Sequence, residues 1–245
     1  MRDNSVIYLS VVIPAYNEEL RLPPTLDSIF NYLDLRDYDY EVIVVDDGSN
    51  DSTVDIVKRN PRYGSQLNLI ELNNNYGKGY TVKKGFEVAK GDYIIYTDAD
   101  GAAPIEELEK LLKAINDGAD IAIGSRALKD SQVKDLWYRR IMGITFNTMI
   151  KIIVIGEYDD TQCGFKLFKA ECARKIFDKL KLRGFSFDVE LLFLAKKLGF
   201  SVSEVPIVWN SIPGTKLNLL IDSPLMFLAV LKIRIMALLG WYRFK

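Results

Sequence analysis

Four times before residue 102 the chain passes from a short, apolar, strand-like run into a cluster of acids, amides or glycines. Val6–Ile13 leads to Pro14–Glu18, and Glu41–Val45 leads to Asp46-Asp47-Gly48-Ser49. Leu67–Leu72 leads to Asn75–Gly79, and Tyr93–Thr97 leads to Asp98-Ala99-Asp100-Gly101. Helical patterns separate these runs: Leu22–Leu33 with Pro23 and Pro24 in its first turn, a helix that Ser52 is placed to cap, and Gly77–Ala89. Ile105–Ile115 reads as a further helix, and Ile121–Ile123 as a strand before Gly124-Ser125-Arg126. Strands spaced by helices predict an α/β fold, a Rossmann-like, mainly parallel sheet with helices on both faces. In such a sheet ligands sit beyond the carboxyl ends of the strands, so the four polar clusters are expected to line one crevice.

The available chemistry is narrowed by what is missing. Among 245 residues there is no histidine, which removes the usual base near neutral pH, histidine zinc sites and the Ser-His-Asp triad. Acid–base work falls to Asp, Glu, Lys, Tyr or Cys. The two cysteines, Cys163 and Cys172, form no CxxC and suggest no disulfide framework, so a reducing compartment is expected. The formal net charge of -1 provides no field for nucleic acid, and no nucleic-acid partner is expected. The N-terminus lacks the apolar stretch and cleavage site of a signal peptide.

Asp98-Ala99-Asp100 is the most telling cluster. Alone, such a triplet is better read as a turn acid plus a helix N-cap. At the end of a buried strand, in series with the other clusters, it reads as two hard oxygen ligands for Mg²⁺ or Mn²⁺ whose shell diphosphate oxygens complete. Asn75-Tyr76-Gly77-Lys78-Gly79 opens a helix, where backbone N–H groups favour an anion; its spacing is neither a Walker loop nor a dinucleotide fingerprint.

Val11-Val12-Ile13-Pro14-Ala15-Tyr16-Asn17-Glu18, Val45-Asp46-Asp47-Gly48-Ser49 and Asp98-Ala99-Asp100 together resemble the family 2 glycosyltransferases of the GT-A fold. In the second half, three segments narrow the resemblance to the dolichyl-phosphate β-glucosyltransferase group. They are Asp160–Phe168, Phe187–Leu192, and Trp209 with Gly214-Thr215-Lys216-Leu217. The resemblance implies a nucleotide-sugar donor and a polyprenyl or dolichyl phosphate acceptor. It places Pro14, Ala15, Tyr16, Glu18, Val45 and Asp47 at the base and ribose, with Lys78 near the nucleotide. It further places Asp98, Ala99 and Asp100 at the metal and diphosphate, Arg126 at phosphates, and Lys216 on a loop closing over the site. Mannosyltransferase relatives often carry Gln two residues after the second Asp as a further ligand; here that position is Ala102. The acceptor phosphate is largely a dianion near pH 7 and attacks the anomeric carbon without a base. Asp188 then orients sugar or acceptor; if the acceptor were a hydroxyl, Asp188 would be the base. With Glu190 it also fits a plain helix-start acid.

Past residue 130 the pattern changes. Thr161–Phe168 reads as a strand, Phe187–Leu198 as a helix, and Val202–Val208 as a short edge strand around Pro206. Leu136–Gly156 and Ser223–Lys245 are apolar and carry bases but no acids. Neither offers the roughly 18 charge-free apolar residues of a spanning helix. Each reads either as an interfacial helix or as a core helix with snorkelling Lys and Arg, and for Ser223–Lys245 the interface is the expectation. The expected organisation is a transferase domain over 1–222, with a nucleotide-sugar half over 1–126 and an acceptor half over 127–222, and an interfacial helical segment over 223–245. The expected location is peripheral, on the cytoplasmic face of a membrane. Rival readings are a GDP-mannose donor, a saccharide hydroxyl acceptor, and a sensor of nucleotide sugars without turnover.

Overall fold

The computed structural model describes residues 7–134, 156–212 and 219–242, apart from the side chains of residues 219–224. Its strands are β1 (Leu9–Ala15), β2 (Tyr40–Asp46), β3 (Leu67–Glu71), β4 (Tyr93–Thr97), β5 (Ile121–Ser125), β6 (Gln132–Lys134), β7 (Phe165–Lys169), β8 (Val202–Pro206) and β9 (Val208–Asn210). Its α-helices are α1 (Leu22–Leu33), α2 (Thr53–Arg59), α3 (Lys78–Val88), α4 (Leu108–Asn116), α5 (Ala170–Lys179), α6 (Phe187–Lys197) and α7 (Leu219–Leu238), with a 3₁₀ turn at Ile105–Glu107 before α4.

Seven strands form one sheet in the order β3-β2-β1-β4-β7-β5-β8. Only β7 runs antiparallel to its neighbours, so the expected mainly parallel sheet is found. Leu9, Val11, Ile13 and Ala15 of β1 face one cluster with α1, α2 and α4. Val12, with Ile43 and Val45 of β2, faces a second cluster with α3, α5, α6 and α7. The central strands are therefore covered on both faces, and their near-continuous apolar runs follow from that. β8 lies at one edge of this sheet and β3 at the other, and an edge position suits Pro206.

Several expected boundaries move. Thr161–Phe168 becomes a strand only at Phe165, because the Asp160 carboxylate accepts the Gln162 N–H at 3.2 Å and turns the chain. Val202–Val208 divides into β8 and β9, and β9 leaves the main sheet to pair with β6. Ser52 stands at the start of α2 without a side-chain cap bond; the Asp51 carboxylate accepts from both N–H and hydroxyl of Thr53 instead. The segment Leu136–Gly156 lies almost wholly outside the described residues.

The C-terminal helix packs on the core along one side and leaves apolar and basic side chains exposed along the other. α7 begins at Leu219 and crosses the expected boundary at residue 222 without a break. Val230, Ile233 and Met236 are buried against the core, while Leu225, Leu228, Ile235 and Leu238 are exposed together with Lys232 and Arg234. Among the described residues no helix is long and apolar enough to cross a membrane.

Candidate active site

The carboxyl ends of β1, β2 and β4 are in parallel register, so their following loops meet at one edge of the sheet. The loops after β1 and β2 are laced together. The Asn17 N–H donates to Ser49 Oγ at 2.8 Å, and the Asn50 N–H donates to Asn17 Oδ1 at 2.8 Å. The Asp47 N–H donates to the Ala15 carbonyl at 2.8 Å. Pro14 and Tyr16 are half-buried beside this junction, and Ala15 is buried. Val45 is fully buried, with its side chain in the core against α3, so only its backbone can face a ligand.

Asp47 accepts the Tyr76 N–H on one oxygen and the Gly77 N–H on the other, each at 2.8 Å. The Gly79 and Tyr80 N–H groups donate to the Arg183 carbonyl at 2.6 and 3.2 Å. The glycine-rich turn was expected to offer these amides to an external anion. The chain's own Asp47 carboxylate and Arg183 carbonyl take them, and the turn instead aims Lys78 at the crevice.

There Lys78 Nζ lies 2.6 Å from Asp98 Oδ1. Burial works against this ammonium, but Asp98, Asp188 and Asp100 outweigh it and its pKa is raised. Asp100 is half-exposed, accepts the Ala102 N–H at 3.0 Å and stands 3.9 Å from Arg21. Burial and the Asp98 charge raise its pKa, against the pull of Ala102, Arg21 and Lys78. Ala99 is buried, and its carbonyl accepts the Thr25 hydroxyl at 3.0 Å, which fixes the backbone between the two acids. Asp100 also borders a cavity of about 330 Å³ that Arg21, Thr25, Thr97, Ile105 and Ile212 help line.

Glu18 is engaged by Arg21 through two bonds of 2.7 and 2.5 Å, so Arg21 links it towards Asp100. Asp98 is also pressed by Gly164, the residue before β7. Its N–H donates to the Gly164 carbonyl at 3.2 Å, and a Cβ built on Gly164 would lie 2.2 Å from Asp98 Oδ2. Only glycine admits this approach.

Asp188, in the first turn of α6, is not a solvated helix-start acid. It is 2 % exposed, and its Oδ1 accepts from the Tyr96 hydroxyl and from Lys166 Nζ at 2.5 Å. Lys166 is fully buried and also donates to the Cys163 carbonyl at 2.5 Å. Burial and the Asp188 carboxylate push the Tyr96 phenol well above its usual pKa, so it stays a donor. Two ammonium groups approach the ring of Tyr96, Lys78 at 5.8 Å and Lys166 at 5.3 Å from its centroid. Burial pushes the neighbouring Cys163 thiol up to about 12, which leaves it inert as a nucleophile.

Arg126, after β5, is held by the buried Asp160 through side-chain bonds of 2.7 and 2.9 Å and a backbone bond of 2.9 Å. Its guanidinium sits 5.0 Å from the Trp209 ring. Asp160 lies below the usual carboxylate range, because Arg126 outweighs burial. Lys216 lies outside the described residues.

Asp98, Asp100, Lys78 and Asp188 are thus brought together, with Arg126 beside them. The sequence reading missed Lys166, Tyr96, Asp160, Arg21 and Gly164. Lys166 did carry a signal, as a charge flanked by Phe165 and Leu167. For a divalent ion, the strand-end pair offers hard oxygen donors suited to Mg²⁺ or Mn²⁺. Among the described residues no group of three or more acidic, His or Cys side chains gathers for a metal, so the side-chain donors present for an ion here are the two carboxylates of Asp98 and Asp100.

The sequence profile of glycosyl transferase family 2 matches residues 10–177. A dolichyl-phosphate β-glucosyltransferase of Dictyostelium discoideum is 38% identical over 98% of this chain and 77% of its own length. The Homo sapiens dolichyl-phosphate β-glucosyltransferase is 39% identical over 88% of this chain and 71% of its own. Among solved structures, glucosyl-3-phosphoglycerate synthase of Mycobacterium tuberculosis with Mn²⁺, UDP-glucose and phosphoglyceric acid superposes with a TM-score of 0.69 at 18% identity. That match covers 94% of this chain and 79% of the other and bears on the fold, which is GT-A. The chain is a glycosyltransferase and belongs to glycosyl transferase family 2, among the dolichyl-phosphate β-glucosyltransferases.

Proposed function

We propose that this enzyme transfers glucose from UDP-glucose to dolichyl phosphate, or a similar polyprenyl phosphate, with inversion at the anomeric carbon. The names of its relatives support the acceptor and the sugar, and the UDP-glucose held by a structural neighbour supports the donor class. The single observation that carries the acceptor chemistry is Asp188. A hydroxyl acceptor needs a base to take its proton. This carboxylate is buried, with one oxygen bound by both Lys166 and Tyr96. A phosphate dianion needs no base, since its second pKa is roughly 6.

The phosphate oxygen forms a bond to the anomeric carbon as the bond from that carbon to the UDP oxygen breaks. One displacement turns an α-linked donor into a β-linked lipid sugar. The chain's work is to position the partners and to balance charge. Asp98 and Asp100 would hold Mg²⁺ or Mn²⁺, which when bound supplies Lewis-acid charge to the diphosphate. Lys78 neutralises charge beside Asp98, Arg126 meets phosphate while Asp160 and Trp209 hold its plane, and Lys216 closes the site. Asp188, locked by Lys166, shapes the floor of the sugar pocket.

Pro14, Ala15, Tyr16, Glu18, Val45 and Asp47 form the base and ribose wall, and Ala99 presents backbone to the nucleotide. Residues 1–126 form the donor half and 127–222 the acceptor half. Segment 223–245 is the membrane-interfacial part, with the outward side chains of α7 meeting lipid while Lys232 and Arg234 meet anionic headgroups. The enzyme works peripherally on the cytoplasmic face.

A panel of radiolabelled nucleotide sugars, incubated with dolichyl phosphate and Mg²⁺ or Mn²⁺, tests the proposal. UDP-glucose should give the most lipid-extractable label. Preference for GDP-mannose overturns the donor assignment, and absence of lipid label with every donor overturns the acceptor.

A further inference from the structure

Glu190 has no part in the chemistry described above, yet it is fully buried in the first turn of α6. A carboxylate placed there must be satisfied by specific donors. One oxygen accepts the Lys181 N–H at 3.0 Å and the Tyr242 hydroxyl at 2.5 Å. The other accepts the Lys181 N–H at 3.1 Å and the Leu182 N–H at 2.6 Å. The carboxylate therefore clamps the 181–183 turn on one side and the C-terminus on the other.

Both clamped elements lead somewhere. The next carbonyl in the turn, that of Arg183, accepts the Gly79 and Tyr80 N–H groups and so anchors the first turn of α3. Lys78, in that same turn, reaches Asp98 at 2.6 Å. On the other side, α7 ends in a hydrogen-bonded reversal: the Gly240 N–H donates to Ala237 at 3.2 Å and the Trp241 N–H to Met236 at 2.9 Å, with Gly240 at φ 71°. The reversal turns Trp241 out to solvent and drives Tyr242 inward to Glu190.

We propose that Glu190 is a positioning residue for the donor site, and that Tyr242 makes the end of the C-terminal helix part of the same brace. The 181–183 turn fixes the start of α3, and the start of α3 fixes the Lys78 ammonium against Asp98. Loosening the brace lets Lys78 drift from the diphosphate position, and donor binding weakens while the acceptor site keeps its shape. The proposal rests on the reading of the crevice as a nucleoside-diphosphate site.

The test uses the full chain, with UDP and Mn²⁺ as the binding probe. Tyr242→Phe removes one hydroxyl, and Glu190→Gln keeps the shape but removes the charge. For each, the UDP dissociation constant is measured by calorimetry, and KM is measured separately for UDP-glucose and dolichyl phosphate. UDP affinity should fall about fivefold, the low end of coupling between sites. The donor KM should rise in parallel and the acceptor KM should hold. A merely structural role lowers the melting temperature and the active fraction, neither of which moves a KM. If Glu190→Gln does not melt cooperatively, Tyr242→Phe decides alone. Folded variants with wild-type UDP affinity and donor KM overturn the brace. Wild-type protein that binds no nucleoside diphosphate overturns the reading of the site, and the brace with it.

Discussion

Replacing Gly164 with Ala puts a single methyl group against the first acid of the strand-end pair. The added Cβ would lie 2.2 Å from Asp98 Oδ2, where ordinary contact begins near 3.4 Å, so the carboxylate must withdraw by about 1.2 Å. Asp98 is on the rim of the crevice with its side chain 26% exposed, so it can rotate away rather than force the sheet apart. The fold should survive with a melting temperature close to that of the wild type. The chemistry should not survive intact. A misplacement of about 1 Å in a positioned group costs on the order of 10²-fold in rate, equivalent to about 3 kcal/mol of transition-state stabilisation. The assay is transfer of label from UDP-glucose to dolichyl phosphate, with kcat/KM taken at several Mn²⁺ concentrations. Higher metal should recover part of the loss, because the displaced ligand weakens ion binding. A folded Gly164→Ala enzyme with wild-type kcat/KM would refute the role assigned to Asp98.

Further outcomes follow from the same geometry. Lys166→Met strands the buried Asp188 and should cost about 3–5 kcal/mol of stability, measured by denaturant melts; an unchanged midpoint contradicts the pairing. Asp188→Asn should slow turnover without rescue by azide or formate, since no proton is taken there; strong rescue would restore the hydroxyl-acceptor reading. Asp160 has a lowered pKa, so its stabilisation is present above the unfolded value of 3.8 and is lost as pH falls through its folded value. Asp160→Asn should therefore destabilise the protein at pH 7, and the gap to wild type should close in acid. Leu225, Leu228 and Ile235 point outward from α7; changing all three to Ser should reduce binding to anionic vesicles while leaving the melt and soluble UDP binding intact. Equal vesicle binding would remove α7 from the membrane contact. Truncation before Ser223 is a poorer test, because it would also remove buried Val230, Ile233, Met236 and Tyr242.

The first half of the chain was legible because its signals are local. α1 and β4 fall on their expected residues, Leu22–Leu33 and Tyr93–Thr97, since proline and a polar cluster punctuate them sharply. The crevice could be foreseen because a parallel sheet gathers its strand ends regardless of loop detail. The second half was harder. α5 was missed although Cys172, Ala173, Ile176 and Phe177 fall on one helical face, because charged residues dilute the pattern. β6 and β9 have three residues each, too few to establish a period. Lys166 sits between Phe165 and Leu167 and reads as an outward position, yet β7 is covered on both faces and its ammonium must find Asp188. Its partner lies 22 residues away in sequence, and that pairing is a tertiary fact. The same is true of Arg21 with Asp100, Arg126 with Asp160, and Glu190 with Tyr242.

The central claim is that the nucleophile is a phosphate that needs no protein base. The most direct measurement gives the wild-type enzyme UDP-glucose with dolichyl phosphate or with the free alcohol dolichol, and determines the anomeric configuration of the product by NMR. Transfer to the phosphate alone, giving a β-glucosyl phosphate, is the expected result. Transfer to the free alcohol at a comparable rate, or an α-linked product, would contradict it.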